Sequence, residues 1–201
     1  IVRLADVEGY RDDQAGVARV LDARRRKSRR FFDQHARRWD KMASDLIPFD
    51  KYASFILSQL DIGHIVVDVG VGTGRLLRDL SRSSQHVIGI DHSSPMLDEA
   101  RTRVAREGLD NVELRLGELT HLPVADGVAD CAILNMVLHH AANPQAAFVE
   151  LNRVLEPGGQ LIIADLVRHE LEWFHEQMAD QWMGFERIEI ERWLEAAGYR
   201  T

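Results

Sequence analysis

The sequence is poor in cysteine. It contains one, Cys131, among 201 residues, so a disulfide within the chain is impossible and a zinc site made of cysteines is excluded. Long apolar runs are also absent, because no stretch of roughly 18 apolar residues occurs, which argues against a membrane-spanning helix. The first residues do not resemble a signal peptide. These absences fit a reducing compartment, and we expect a cytoplasmic protein.

Basic residues are in the minority. The chain has 25 Lys and Arg against 32 Asp and Glu, and its formal net charge is −7. Residues 46–201 carry −11, whereas residues 1–45 carry +4. An acidic main body argues against general nucleic-acid binding. The basic cluster RRRKSRR, residues 24–30, is either a solvated helix face or hinge, or a surface that contacts an acidic partner or nucleic acid.

Apolar runs of strand length alternate with helical segments through the middle of the chain. The five predicted strands are His64–Val69, His86–Ile90, Val112–Leu116, Ala129–Asn135 and Gln160–Ala164. Helices are predicted at residues 11–42, 49–60, 74–81, 95–107, 144–155, 170–182 and 190–197. This alternation predicts an α/β fold with a mostly parallel sheet and helices on both faces.

A glycine-rich turn follows the first predicted strand in the stretch VVDVGVGTG, Val66–Gly74. The G-x-G-x-x-G spacing of dinucleotide-binding turns fails, because Arg75 or Leu77 occupies the sixth place. A P-loop is excluded as well, since no G-x-x-x-x-G-K-[ST] occurs. The turn would still offer N–H groups to a carboxylate or a phosphate, and Asp68 could lie near an ammonium group. A tight turn without a ligand is the alternative.

Acidic residues also follow the second and third predicted strands. Asp91 could accept hydrogen bonds from ribose hydroxyls, or it could cap the next helix. Glu118 could face an adenine amino group, with Leu119 against the ring, or it could be a plain surface acid. The crevice at the carboxyl ends of the strands is the usual ligand site of such a sheet. These acids therefore mark a candidate pocket.

Five motifs in order make the chain similar to the class I S-adenosylmethionine-dependent methyltransferases. They are VVDVGVGTG, GIDHSSPML, GELTHLP, NMVLHHAANP and LEPGGQLIIAD. The resemblance covers roughly residues 49–200 and implies a Rossmann-like sheet of strand order 3-2-1-4-5-7-6. It implies S-adenosylmethionine as the cofactor, in contact with Asp68, Gly70, Gly72, Asp91, His92, Met96, Glu118, Leu119 and Asn135. The family's last two strands would follow the LEAAG helix, so we expect them to be missing here.

The front of the chain resembles the junction in bacterial fusions of an ArsR-type winged-helix regulator to a methyltransferase. The resemblance depends on IVRLAD and on RRRKSRRFFDQHARRWD. We therefore divide the chain into a helical linker or lid segment, residues 1–48, and an S-adenosylmethionine-binding domain, residues 49–201. Under this resemblance DNA would be contacted only through a winged-helix domain missing from the chain. The long front helix could also serve as the arm of a homodimer.

Methyl transfer from a sulfonium depends mainly on alignment of the acceptor with the methyl group. Where the acceptor must lose a proton, His139 and His140 after the fourth strand are the candidate catalytic residues, with a structural role as the alternative. Aromatic residues in the flanking helices either pack in the core or line an apolar acceptor pocket. They are Phe31, Phe32, Trp39, Trp173, Phe174, Trp182 and Phe185.

These observations predict a methyltransferase that acts on a small molecule and has no metal site. Arsenite is not the expected acceptor, because it needs several thiols and Cys131 lies alone inside a predicted strand. A non-catalytic sensor of S-adenosylmethionine or S-adenosylhomocysteine is the alternative function, since a fold does not by itself fix an activity.

Overall fold

The centre of the protein is a parallel sheet. The computed structural model describes residues 10–60 and 65–200. Its strands are β1 Ile65–Val69, β2 His86–Asp91, β3 Val112–Leu116, β4 Ala129–Asn135 and β5 Leu155–Ala164. Their order is β3-β2-β1-β4-β5, and every neighbouring pair is parallel. The predicted α/β fold is confirmed, and the two further strands that the resemblance implies do not occur among the described residues.

Helices cover both faces of this sheet and the edge formed by the carboxyl ends of its strands. They are α1 Tyr10–His35, α2 Trp39–Leu46, α3 Asp50–Ser58, α4 Leu77–Ser83, α5 Ser94–Glu107, α6 Pro144–Val154, α7 Trp173–Gln177 and α8 Arg187–Ala196. Short 3-10 helices occupy Ala36–Arg38 and Leu138–His140. None of the helices in the described ranges is long and apolar enough to cross a membrane.

Two helix predictions were wrong in extent. The helix predicted over residues 170–182 is the five-residue α7, because the backbone after it bonds elsewhere: the N–H groups of Gln181 and Trp182 donate to the carbonyl of His139 at 2.9 and 3.1 Å. Ala179, in the same segment, has a left-handed φ of 58°, which no α-helix contains. The helix predicted over residues 11–42 is divided by the 3-10 turn at Ala36–Arg38.

The two faces of the sheet carry separate apolar clusters. On one face, Phe148 and Leu151 of α6 are fully buried against the strands. On the other face, Leu77, Leu80 and Leu97 from α4 and α5 are fully buried. Each such side chain stabilises the fold by roughly 1.5–3 kcal/mol. Burial on both faces explains why β1, β2 and β4 are almost continuously apolar in sequence.

The front helices lie across the carboxyl ends of the strands. Phe32 of α1 is buried with Met96 of α5 in a small third cluster. The Oγ of Ser93 donates to Asp33 at 2.6 Å, and Arg103 donates to Asp40 at 2.5 Å. The division at residue 48 stays a prediction, but these contacts place the front segment where it can cover a ligand site.

Candidate functional site

A cavity opens at the carboxyl ends of β1, β2 and β4. Its empty space, with the open solvent at the mouth included, is about 1050 Å³. The structure brings most of the predicted site residues together in its lining: Asp68, Gly70, Gly72, Asp91, His92, Met96, Asn135, His139 and His140. Glu118 and Leu119 do not reach it and instead line a neighbouring cavity, which shares His92 and His140 with the first.

The glycine turn is held tightly against the end of β2. Gly70 has a φ of +74°, and a Cβ built on it would lie 2.4 Å from the side chain of Val137. Only glycine satisfies both requirements. The N–H of Gly70 donates to the carbonyl of Ile90 at 2.7 Å, and that of Gly72 donates to the carboxylate of Asp91 at 2.9 Å. Two N–H groups that the sequence offered to a ligand are therefore already used within the protein.

Asp91 connects that turn to the start of α5. One of its oxygens accepts from Gly72, and the other accepts from the N–H of Ser93 at 2.8 Å. The helix cap itself is Ser93, whose hydroxyl accepts from the N–H of Met96. Of the two roles left open by the sequence, capping α5 therefore belongs to Ser93. Each carboxylate oxygen of Asp91 keeps acceptor capacity for a further donor.

Asp68 and Asp91 are two buried acids close enough to repel each other. Burial, reinforced by the charge of Asp91, raises the pKa of Asp68 to about 7. Burial also raises the pKa of Asp91, although His92 and the N–H donors around it act in the opposite direction. Such a pair is relieved by a cation. Beside it, Asn135 carries a buried side-chain oxygen that has no hydrogen-bond partner among the described residues.

The proposed adenine residues are covered by α1. Glu118 forms an ion pair with Arg29, and Leu119 lines the neighbouring cavity together with Ser28. Phe32, one turn further along α1, lines the main cavity instead. A single helix therefore contributes to both cavities, and a ligand that extended from one to the other would have to displace side chains of α1.

His139 and His140 enter the main cavity from the 3-10 helix after β4. Asp165, at the end of β5, accepts hydrogen bonds from the N–H groups of Val137 and Leu138 at 3.2 and 2.8 Å. Its other oxygen lies 2.7 Å from Nδ1 of His139. Asp165 thus fixes both the turn and the orientation of the His139 ring, which leaves Nε2 of that ring as the atom that faces other groups.

A second acid, Asp180, approaches the two rings from the segment after α7. Its Oδ1 lies 3.8 Å from Nε2 of His139 and 3.5 Å from Nδ1 of His140. Neither oxygen of Asp180, nor Nδ1 of His140, has a hydrogen-bond partner among the described residues. Sequence reasoning missed Asp180, because it lies in a stretch that was interpreted as helix and carries no motif of its own.

The titration of this cluster follows from its burial. Burial alone would lower the pKa of His139, but the charge and hydrogen bond of Asp165, with the charge of Asp180, raise it above the ordinary value. Burial, reinforced by His139 and His92, holds the pKa of His140 well below the ordinary value. Burial raises the pKa of Asp180 to about 6.

The far wall of the cavity is apolar. Its lining there comprises Phe32, Trp39, Leu46, Ile47, Phe49, Phe174 and Met178. Other predicted aromatic residues pack in the core instead: Trp182 and Phe185 contact Trp193 of α8 with ring centroids 6.1 and 5.8 Å apart. One subset of these aromatic residues therefore packs in the core, and another subset lines the cavity.

Comparison with known proteins gives matches across the sheet. Residues 67–163 match a family model described as a methyltransferase domain. An arsenite methyltransferase of Halobacterium salinarum is 41% identical over 109 residues, which are 53% of this chain and 28% of that protein. The chain spans between 28% and 42% of the length of the first curated relatives that it matches.

Solved structures share the fold. A methyltransferase of Thermotoga maritima, described as a possible histamine N-methyltransferase, matches with a TM-score of 0.72 at 23% identity, over 87% of this chain and 82% of its own. Phosphoethanolamine N-methyltransferase 2 of Haemonchus contortus, solved with S-adenosyl-L-methionine, matches with a TM-score of 0.65 at 24% identity, over 74% of this chain and 36% of its own.

Proposed function

We propose that this protein transfers a methyl group from S-adenosylmethionine to a small molecule, in keeping with the match of residues 67–163 to a family model described as a methyltransferase domain. The observation that carries the proposal is the buried pair Asp68 and Asp91 beside the glycine turn. At the same edge lies the side-chain oxygen of Asn135, which finds no hydrogen-bond partner in the described part of the chain. These groups accept hydrogen bonds and favour positive charge, so they suit an ammonium and ribose hydroxyls better than a phosphate.

The chain supplies a complement for each end of the cofactor. Asp68 would face the ammonium of the methionyl group and Asp91 the ribose. Arg75, held 4.2 Å from the centre of the Phe49 ring, also lines the cavity and is a cation available for the methionyl carboxylate. Glu118 would accept from the adenine amino group once its ion pair with Arg29 opens. These roles follow from the chemistry of the lining and from the family resemblance.

The acceptor would lie against the apolar wall of the cavity, beside His139 and His140. The lining there favours a small, partly apolar molecule. In the transfer a lone pair of the acceptor forms a bond to the methyl carbon, the carbon–sulfur bond breaks, and its electron pair stays on sulfur to give S-adenosylhomocysteine. The two histidines are the candidate catalytic residues, because both are titratable side chains in the lining of the cavity and lie beside Asp180.

A sensor of the cofactor is the second candidate function. It is favoured by the contacts between α1 and the site, Arg29 to Glu118 and Asp33 to Ser93. Binding at Glu118 would disturb the first contact and could move α1, which would suit an ArsR-type regulator fused in front of this domain. A sensor would bind S-adenosylmethionine tightly and release no S-adenosylhomocysteine with any acceptor, which separates it from an enzyme.

Calorimetry tests the proposal directly. We expect S-adenosylmethionine to bind at one site per chain, and NAD⁺ to give no binding heat. Asp91→Asn should weaken the binding, whereas Asp130→Asn, at the opposite end of the sheet where its carboxylate accepts from Ile65, should not. Release of S-adenosylhomocysteine with a panel of small acceptors then separates enzyme from sensor. No binding of S-adenosylmethionine by the folded protein would overturn the proposal.

A further inference from the structure

The cluster of His139, His140 and Asp180 has the composition of a metal site. We propose that Nε2 of His139, Nδ1 of His140 and the carboxylate of Asp180 bind one divalent transition-metal ion at the acceptor side of the cavity. The candidate ligand atoms of these three side chains all lie within 4.8 Å of one another. No other group of three or more His, Cys, Asp or Glu side chains in the described ranges converges in this way.

The distances are close to those that an ion requires. Bonds of about 2.0–2.1 Å to histidine nitrogen and carboxylate oxygen place neighbouring ligand atoms roughly 3 to 3.5 Å apart. Asp180 Oδ1 lies 3.5 Å from Nδ1 of His140 and 3.8 Å from Nε2 of His139. Both distances from Asp180 are therefore within a few tenths of an ångström of this range, and all three ligand atoms lie within 4.8 Å of one another.

The unsatisfied atoms point to a ligand between these side chains. Asp180 is 1% exposed and His140 is 8% exposed, yet both carboxylate oxygens of Asp180 and Nδ1 of His140 have no hydrogen-bond partner among the described residues. Buried polar groups normally have partners, and each exception needs an explanation. A cation that accepts lone pairs from all three residues satisfies these atoms at once.

A surrounding layer of contacts supports the same interpretation. The Nδ1 of His139 bonds to Asp165, whose side chain is 6% exposed, and a carboxylate behind a histidine is the usual support of a metal ligand. Phe32 packs edge-on against His140 with ring centroids 4.8 Å apart. Two buried carboxylates beside two imidazoles also carry negative charge that a divalent cation would compensate.

The ligand types narrow the choice of ion. Two imidazoles and one carboxylate suit Zn²⁺, Fe²⁺ or Co²⁺, whereas Mg²⁺ and Ca²⁺ prefer oxygen ligands. Three protein ligands leave positions open toward the cavity, as in catalytic zinc sites. An acceptor hydroxyl that reached the ion would lose its proton to water more readily, and its lone pair would then take the methyl group. This catalytic role rests on the proposed function, but binding of the metal does not.

The experiment measures binding of Zn²⁺ and Co²⁺ to protein stripped with a chelator. We expect one equivalent of Zn²⁺ per chain by elemental analysis after dialysis, and a Co²⁺ absorption spectrum in the visible range that Zn²⁺ abolishes. His140→Ala and Asp180→Asn should each weaken Zn²⁺ binding at least tenfold, and Asp165→Asn by roughly 10- to 100-fold. His86→Ala is the matched control. His86 lies at the start of β2, remote from the cavity, and its ring nitrogen is 3.5 Å from the carboxylate of Glu113.

Each result has a defined meaning. Zn²⁺ that fails to bind stoichiometrically to folded wild-type protein overturns the proposal, and so does binding that survives both His140→Ala and Asp180→Asn. Circular dichroism of every variant shows whether it has folded. If His140→Ala does not fold, the isosteric Asp180→Asn variant still tests the proposal. Calorimetry with S-adenosylmethionine on the same samples separates the proposals, since metal binding without cofactor binding would overturn only the proposed function.

Discussion

At the scale of single residues, Asp68 shows the conflict between stability and binding. Its carboxyl group is 3% exposed, and burial, with the charge of Asp91, raises its pKa to about 7. The group is therefore neutral in the folded protein below that pH, whereas it ionises near pH 4 in the unfolded chain. The folded state binds the extra proton between these values, so the stability contributed by Asp68 falls as the pH rises from about 4 to about 7.

Asp68→Asn should remove this pH dependence. We expect the variant to match the wild type in unfolding free energy near pH 4 and to exceed it by about 1–3 kcal/mol at pH 8, because the wild type then buries a charge. The same change should weaken S-adenosylmethionine binding at least tenfold at pH 8. Urea titrations from pH 4 to pH 8 measure the first effect, and calorimetry measures the second.

Asp110→Asn is the control for that comparison, since Asp110 is exposed after α5 and its neutralisation should leave both quantities nearly unchanged. A stability difference between Asp68→Asn and the wild type that stayed constant from pH 4 to pH 8 would contradict the expected titration of Asp68.

The sequence predicted which residues lie together at the site, but it did not predict the ion pairs and side-chain contacts that these residues make. Strand ends carry Asp68, Asp91 and Asn135 to one edge, because parallel strands present their carboxyl ends together. It could not predict that Arg29 pairs with Glu118, since that contact joins side chains 89 positions apart. Asp180 was also beyond reach, because only the folded loop brings it to the two histidines.

At the scale of elements, strands were predicted more accurately than helices. A strand buried on both faces is nearly continuous in apolar residues, and β4 begins and ends at the predicted residues. The edge strand β3 also has the predicted bounds, whereas β5 begins at Leu155, five residues before its predicted start. The interpretation of residues 170–182 as helix was wrong because tertiary contacts outweigh local preference there. The side chain of Gln181 donates to the carbonyl of His140 at 2.7 Å and that of Trp182 to the carbonyl of Ala141 at 2.8 Å.

Helix α1 covers the site, but only weak contacts hold it there. Its ion pair from Arg29 to Glu118 is half-exposed, and such pairs contribute about 0–1 kcal/mol. Phe32, at 8% exposure, is the buried apolar side chain among the described residues of this helix, whereas Val17 and Val20, nearer its N-terminus, are 55% and 54% exposed. Local opening of α1 should therefore depend mainly on Phe32.

Phe32→Ala should loosen α1 while leaving the sheet intact. Loss of a buried phenylalanine typically costs about 3–5 kcal/mol in a core, and here the loss falls on the contact between α1 and the cavity. We expect amide hydrogen exchange in residues 17–35 to accelerate at least tenfold, with exchange in β1 and β4 unchanged, as measured by mass spectrometry. Val20→Ala, on the same helix, should change neither. Equal acceleration in α1 and the sheet would show that α1 does not open separately.

At the scale of the whole molecule, the alternation of strands and helices predicted a mostly parallel sheet, whereas the strand order was implied by the family resemblance. Short crossovers make consecutive parallel strands neighbours, and the order β3-β2-β1-β4-β5 places the reversal between β1 and β4. Ligands of such sheets bind where the order reverses, which is where the glycine turn and His139 meet across the cavity. The covering of that site by α1 was less predictable, because it depends on contacts between distant side chains such as Asp33 and Ser93.

Ligand binding at this point of reversal should stabilise the entire domain, because the site is built from β1, β2 and β4 together. S-adenosylmethionine at one hundred times its dissociation constant should raise the unfolding free energy by about 2.7 kcal/mol, which corresponds to an increase in melting temperature of roughly 5–10 °C for a chain of this size. Differential scanning calorimetry measures the shift, with NAD⁺ at the same concentration as the control. An equal shift with both compounds would show that the glycine turn does not select the methionyl group, since only S-adenosylmethionine presents an ammonium to Asp68.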